Sequence, residues 1–577
     1  MIFRRWPHDR ATSCPPRLAE KGLLLLLNGI GAPLRLPLFR RIWLASLASN
    51  LGLMIHGVGA AWAMTQMTSS ADMVALVQTA LMLPVMLLSV TAGAIADMFN
   101  RRIVALLAMS LGLTAATTLS VLAHFNLLTP NIILAFTFLI GCGMALFGPS
   151  WQASVSEQVP PATLPSAVAL NGISYNIARS FGPAIGGVIV ATAGAAAAFV
   201  CNALLYLPLL TVFFLWRRVV EPSRLPPERL SRAIVSGVRY IVHSPSLRIV
   251  LWRTLATGIG GTSILALMAL IARDMLGGGA QTFGIMLGAF GMGAVVGALN
   301  VETMRRQFSS EVAIRICLLT MGIGIGVVAL SRTPALTAAA LVVAGAGWML
   351  SITLFNISIQ LSAPRWVAGR ALAIFQAAIS GGVAIGSWGW GHVADRLGTD
   401  HALMISAAVM LLSPLLGLWL RMPAAGGRDD QAVDPLADPE VALSIKARSG
   451  PIVIEIEYRV DQERAREFFG VMQQVQFTRQ RNGAYGWSIA RDLADPELWT
   501  ERYHCPTWTD FLRQRNRSTQ SERALHQKAA DFHFGPDPIR VRRMLERPFG
   551  SVRWKDETPD RASTEVLPVQ TNVTSGT

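Results

Sequence analysis

The sequence predicts an all-α membrane protein that carries a small α+β domain near its C-terminal end. Between Ile42 and Leu420 the chain is a series of apolar blocks, each close to the roughly 20 residues an α-helix needs to cross the hydrocarbon core. Hydrophobic residues make up 52% of the 577 and charged residues 15%, against about 25% charged in a soluble domain; the mean hydropathy is +0.44. The blocks lack the two-residue alternation of an outer-membrane barrel. After Arg421 the composition changes abruptly.

Turn residues and charges divide the apolar region into twelve expected spans: 42–65, 73–96, 103–123, 130–150, 166–192, 195–216, 249–271, 281–301, 312–331, 335–360, 370–391 and 401–421. Positively charged loops stay on the cytoplasmic side. Arg101 and Arg102 follow span two, and eight arginines from Arg217 to Arg253 follow span six. Arg305, Arg306 and Arg315 follow span eight, and Arg365 and Arg370 follow span ten, while the odd-numbered loops offer Arg273, Arg332 and Arg396. Even loops and both termini are therefore expected in the cytoplasm. The domains expected are an N-terminal extension (1–34), a six-helix half (35–216), a central cytoplasmic loop (217–248) and a second six-helix half (249–421). A linker (422–448), a soluble domain (449–550) and a disordered tail (551–577) complete the chain. The centre of the 217–248 loop, SRAIVSGVRYIVHSP, is either an amphipathic helix at the membrane surface or a plain linker. Six spans, a basic loop and six spans is the layout of a transporter with two repeated halves.

Several function classes fall away. The five cysteines (Cys14, Cys142, Cys201, Cys317, Cys505) are scattered with no C-x-x-C, so neither a disulfide framework nor a metal site is expected. The net charge of +15 follows from topology, because the arginines cluster between helices; nucleic-acid binding is not expected. No G-x-x-x-x-G-K-[ST] occurs, which argues against ATP drive. The run Leu23 to Leu27 is too short to span and lacks an A-x-A cleavage site, so the first residues are an extension and not a removed signal.

Two membrane motifs carry candidate function. Gly93-Ala-Ile-Ala-Asp97-Met-Phe-Asn-Arg101-Arg102 closes span two: Gly93 allows close helix approach, and Asp97 accepts from Arg101 or from a helix N-terminus. Breaking and remaking that contact would gate one face. In span five, Asn176, Arg179, Gly182, Pro183, Gly186 and Gly187 combine an intramembrane charge with tight-packing glycines and a helix-bending proline. An arginine at the helix centre costs about 2.5–3.5 kcal/mol on insertion scales, so Arg179 is expected to face the bundle interior; snorkelling to the interface is the alternative. His56 is a candidate proton or substrate group, or a neutral interhelical partner. Trp62, Trp151, Trp348, Trp388 and Trp390 are belt or stacking residues. Gly389-Trp-Gly391-His-Val-Ala-Asp395 echoes the span-two pattern on the opposite face, and no gate role is assigned to it. Glu302 stands in the degenerate counterpart before Arg305 and Arg306.

The span-two loop resembles the G-x-x-x-D-x-x-x-R-[RK] signature of the major facilitator superfamily. The G-P-x-x-G-G run at Gly182–Gly187 resembles the span-five motif of its antiporters and exporters, although Ser174 and Ala178 stand where glycine is expected. Leu38 to Ser46, Ser49 to Gly52 and these two motifs together resemble the transmembrane secretion effector branch, related to the enterobactin exporter and macrolide efflux pumps. The resemblance implies a twelve-helix major-facilitator fold in a bacterial inner membrane. It implies a proton-coupled exporter of a small amphipathic molecule (siderophore, drug or secondary metabolite) working by alternating access, without a cofactor or a catalytic residue. An importer of the same fold and a membrane-anchored sensor or enzyme are the alternatives.

In the soluble part, Ile452 to Val460 alternates as a strand. A helix over 462–477, strands 484–493 and 498–505, helical 507–531 and a strand 538–547 follow. This β-α-β-β-α-β order predicts a ferredoxin-like sandwich and resembles the dimeric α/β-barrel domains of the antibiotic-biosynthesis monooxygenase type. His504, Trp508, His526 and His533 are polar pocket candidates with no nucleophile or cofactor motif, so a regulatory or dimerisation module is expected.

Overall fold

The computed structural model describes residues 31–155, 157–160, 163–216, 230–364, 367–423, 439, 441–443, 445–446, 448–516 and 518–546. The side chains of residues 94, 97, 98, 153, 165, 230–234 and 236 are outside that description. Most of the expected extension and linker, the arginines of 217–229, Arg365, the whole 551–577 tail and the Asp97 side chain therefore lie outside the described residues.

In a bilayer the backbone must satisfy its own hydrogen bonds, and the apolar blocks do so as helices. They are α1 Pro37–Met67, α2 Ala71–Met98, α3 Arg101–His124, α4 Pro130–Val155 and α5 Leu164–Leu215. After a short α6, Leu230–Val242, come α7 Pro245–Gly261 and α8 Ser263–Leu270, continued by a π turn at Ile271–Met275. The set ends with α9 Ala280–Gln307, α10 Ser310–Leu330, α11 Pro334–Ser362, α12 Ala368–Leu397, α13 Thr399–Leu412 and α14 Leu416–Trp419. Pro37, Pro245 and Pro334 open helices at positions where a missing N–H costs nothing. Ser70, Asn100 and Ser309 cap α2, α3 and α10 through their side chains.

Among the described residues eleven helices are long and apolar enough to cross a membrane, where the sequence predicts twelve spans. The difference is α5. Its 52 residues would reach far past a bilayer at about 1.5 Å per residue, but the chain leaves helical geometry at Gly194, φ 79° and ψ 172°, a conformation that favours glycine. A Cβ at Gly182 would meet Met54, and a Cβ at Gly52 would meet Asn202. Residues before and after Gly194 thus pack on α1 at one height, and the chain reverses there. α5 holds expected spans five and six.

Three further boundaries differ from the sequence reading. The 217–248 loop contains the helix α6, which is the helical one of the two readings offered for it, and α7 begins at Pro245, not at 249. Span twelve is interrupted by a 3-10 turn at Ser413–Leu415, where Pro414 removes a backbone donor. Arg253, grouped above with the loop arginines, lies inside α7 and is 2% exposed. It donates to Glu311 at 2.5 Å and to the Leu420 carbonyl at 3.2 Å. Glu311 also accepts from Arg315 and from the Met422 N–H, so one carboxylate ties α7, α10 and the end of α14 together.

The soluble part has β1 Ile452–Arg459, α15 Ala465–Arg481, β2 Tyr485–Arg491, β3 Leu498–Cys505, α16 Trp508–Asn516, α17 Gln520–Ala530 and β4 Arg540–Leu545. The sheet order is β2-β3-β1-β4, all antiparallel. The expected single helix over 507–531 is two. Thr519 caps α17 in a reciprocal box with Glu522, which starts a new helix. Alternation puts Ile452, Ile454, Ile456 and Tyr458 on one sheet face, where they join Phe468, Met472 and Val475 of α15 in one apolar core. This part touches the membrane helices through α6: the Arg481 guanidinium lies 5.1 Å from the centre of the Tyr240 ring.

Candidate functional site between the helix sets

The helices α1–α5 meet the helices α7–α14 along two seams. The first joins α2 to α12. The Asp395 carboxylate accepts from the Ala71 N–H at 2.9 Å, which places an anion on a helix N-terminus, and Thr79 donates to the Ala384 carbonyl at 3.0 Å. Nearby, Arg273 donates to the Thr65 carbonyl at 2.6 Å, and Trp62 stacks on Phe283 at 6.1 Å.

The second seam joins α5 to α9. A Cβ at Gly187 would lie 2.5 Å from Gly284 Cα and 3.0 Å from its nitrogen, so these backbones touch with no space for a side chain. Two turns away, Ser180 donates to the Gly291 carbonyl at 3.1 Å.

Past Ser180 the seam ends. Ala169, Ile173, Asn176, Ser180 and Gly187 form one stripe of α5 at helical spacing. Gly187 and Ser180 are buried, Asn176 is half-buried, and Ile173 and Ala169 are exposed. The adjacent stripe behaves the same way: Gly186 and Gly182 are buried against α1, Arg179 is half-buried, and Tyr175 and Val168 are 45% and 57% exposed. A face that is sealed at one end of the bundle is open at the other. Asn176 and Arg179 sit at the point of parting, and the Arg179 side chain makes no ion pair among the described residues.

The expected span-five residues are thus brought together, with Pro183 also buried and its carbonyl facing Gly284. The expected gate residues lie at the parted end. Arg101 pairs with Glu157 at 2.8 Å, and Arg102 donates to the Phe213 carbonyl at 2.8 Å and to the Phe214 carbonyl. Gly93 does not make the close approach expected of it: a Cβ there would meet only Ala373 Cβ, at an ordinary 3.7 Å. His56 is fully buried, with Nε2 3.4 Å from Thr137 Oγ of α4, as a neutral interhelical partner would be. At the sealed end a hollow of about 440 Å³ is lined by Asp274, Arg332, Asp395 and Asp400 among others.

Sequence reasoning missed Asp395 as a contact between the helix sets, and it missed Gly284 and Gly291. The spacing Gly284, Gly288, Gly291 puts three small residues on one helix face, a signal for tight packing. Asp395→Ala is expected to loosen the sealed end by about 1 kcal/mol, the usual value of a lost helix cap. The check is faster maleimide labelling of a cysteine placed at Ser69; an unchanged rate would mean the contact holds nothing.

Comparison with known proteins agrees with this geometry. The chain is 25% identical over 409 residues to the multidrug efflux pump Tap of Mycolicibacterium fortuitum, covering 68% of this chain and 97% of that one. It is 26% identical over 393 residues to the enterobactin exporter EntS of Shigella flexneri, covering 65% and 91%. In fold it is similar to a bacterial homologue of the lysosomal transporter Spinster, solved inward-facing and occupied, with a TM-score of 0.55 at 11% identity over 67% of this chain and 97% of that one. A family model described as transmembrane secretion effector matches residues 29–549, and the chain belongs to that family of major facilitator superfamily transporters.

Proposed function

We propose that this protein is a proton-coupled exporter of a small amphipathic molecule, working by alternating access. The eleven apolar helices among the described residues then make twelve crossings in two groups of six, residues 35–216 and 249–421. The arginine-rich end, with both termini and the soluble domain, lies in the cytoplasm of a bacterial inner membrane. The observation that carries this reading is α5, sealed against α9 from Gly187 to Ser180 and parted from it beyond Asn176. In that orientation the parted end faces inward, ready to load substrate from the cell. Asn176 and Arg179 line the opening, and a fixed cation at the depth where the cleft narrows would attract an anionic or polar group of the cargo. Gly182, Pro183, Gly186 and Gly187 let the helices seal. Gly93, Asp97, Arg101 and Arg102 belong to the gate that must form when the inner end closes. The sheet order of the soluble part fits a ferredoxin-like fold with a regulatory or dimerisation role. Export is supported by the relatives named as efflux pump and exporter.

The test is uptake into inside-out vesicles over a panel of fluorescent drugs and ferric-siderophore precursors. An internally acidified vesicle is expected to accumulate at least one of them, and an uncoupler is expected to abolish this. Arg179→Ala is expected to lower transport by about tenfold, the effect of losing about 1.4 kcal/mol of cargo binding. Accumulation that an uncoupler increases would make the protein an importer, and uptake unchanged in Arg179→Ala would remove that residue from the path.

A further inference from the structure

The soluble domain holds a second cavity, of about 190 Å³, that the transport reading does not use. Its floor is Ile454, Ile456 and Val541, with Phe511 at one side. Register places Val541 opposite Ile456 and Arg543 opposite Ile454, so both project from the sheet face that the helices cover. Yet Val541 is 38% exposed and Arg543 is exposed. The helices therefore leave the β4 edge uncovered, and that edge is the mouth.

The charges around this cavity do not cancel. Arg479 is matched by Glu501, and Glu522 by Arg481. Arg543 also lines the cavity, and it has no carboxylate partner among the described residues. Net positive charge beside an apolar floor suits an anion with an apolar body. Two further groups point to a polar tail. Asn482 gives its amide N–H to Glu522 while its Oδ1 is buried without a partner among the described residues, as is Nε2 of His526. Burial and the nearby Arg479 charge keep the His526 imidazole neutral, well below its usual pKa. Buried polar atoms left unsatisfied are costly, and a hydroxyl on a ligand in the cavity would relieve that cost.

We propose that this cavity is a binding site for a compact aromatic carboxylate bearing a hydroxyl group, held by Arg543 at the mouth and by Asn482 and His526 within. The volume falls below the roughly 300–1,000 Å³ of drug-sized sites, which favours a single ring. The site is distinct from the transport cleft and makes the soluble domain a sensor of small metabolites.

The test is isothermal titration of the full-length protein in lipid nanodiscs with 4-hydroxybenzoate. Saturable binding with a dissociation constant on the order of a millimolar or tighter is expected. The neutral 4-hydroxybenzamide is expected to bind at least about tenfold more weakly, as is 4-hydroxybenzoate to Arg543→Gln. Arg543 lies exposed on an edge strand, so that variant keeps its fold. Arg540→Gln, at the register position of Glu457 on the opposite sheet face, is expected to bind as the parent does. Absence of saturable binding, equal affinity for the amide, or unchanged affinity in Arg543→Gln would each overturn the proposal, the last by placing the ligand elsewhere in the protein.

Discussion

Replacing Gly187 by alanine is expected to lower transport tenfold or more while leaving the protein folded in the membrane. The added Cβ would fall 2.5 Å from Gly284 Cα, and a backbone atom cannot rotate away as a side chain can. Overpacking of this kind costs about 1–3 kcal/mol, and the cost is confined to the arrangement in which α5 and α9 touch. The arrangement with this end open is spared. The variant should therefore shift the balance between the two, by about tenfold for each 1.4 kcal/mol. Spin labels at Ser69 and Thr399 would report a longer mean distance across the sealed end. Gly57→Ala is the control, since a Cβ there meets nothing within 4 Å. Parental transport and distances in Gly187→Ala would show that the glycine contact does not set the conformation.

The second large effect is expected in the soluble domain. Glu501 is fully buried and accepts from Arg479 at 3.0 Å, from Trp487 Nε1 at 3.0 Å and from the Tyr458 hydroxyl at 3.3 Å. Glu501→Gln would leave the Arg479 guanidinium enclosed without a counter-charge, at a cost of about 3–5 kcal/mol. A domain stable by about 5–15 kcal/mol would lose much of its margin. Hydrogen exchange of β1 and β3 in the full-length protein should rise by at least about a hundredfold, the equivalent of some 2.7 kcal/mol. Replacing both partners, Arg479→Met with Glu501→Leu, should recover part of the protection, because the apolar pair removes the unpaired charge but leaves Trp487 Nε1 and the Tyr458 hydroxyl without their acceptor. Exchange unchanged in Glu501→Gln would mean that water reaches Arg479 and the pair is not enclosed.

The parts of this protein that were plain in its sequence are those set by hydrophobic length and alternation. Block length located the membrane helices because the bilayer imposes one thickness on all of them. Alternation over Ile452 to Val460 marked the central strand because one face had to be apolar. What could not be seen was the partner of each feature. Asp395 is one acid among several until the N-terminus of α2 is brought against it from 324 residues away. Arg253 looked like a loop charge because its partner Glu311 lies on another helix. The close approach expected at Gly93 is not made, while the one expected at Gly187 is made and its partner is Gly284, since small residues permit contact without choosing where it occurs. The division of the 507–531 helix was legible but overlooked: Thr519-Gln-Ser-Glu522 is a capping-box pattern.

The helix α6 touches three bodies at once. It packs near the end of α2 and the start of α12, where Gly237 lies against the Arg370 side chain, and its Tyr240 receives Arg481 from the soluble domain. In the alternating access proposed above, one flank would swing relative to the other and this short tether would follow one neighbour and part from another. A cation on an aromatic ring holds with about 0.5–2 kcal/mol, little enough to be released and remade at ordinary temperature. Under the proposed cycle, the soluble domain would be coupled to the membrane helices through this one short helix.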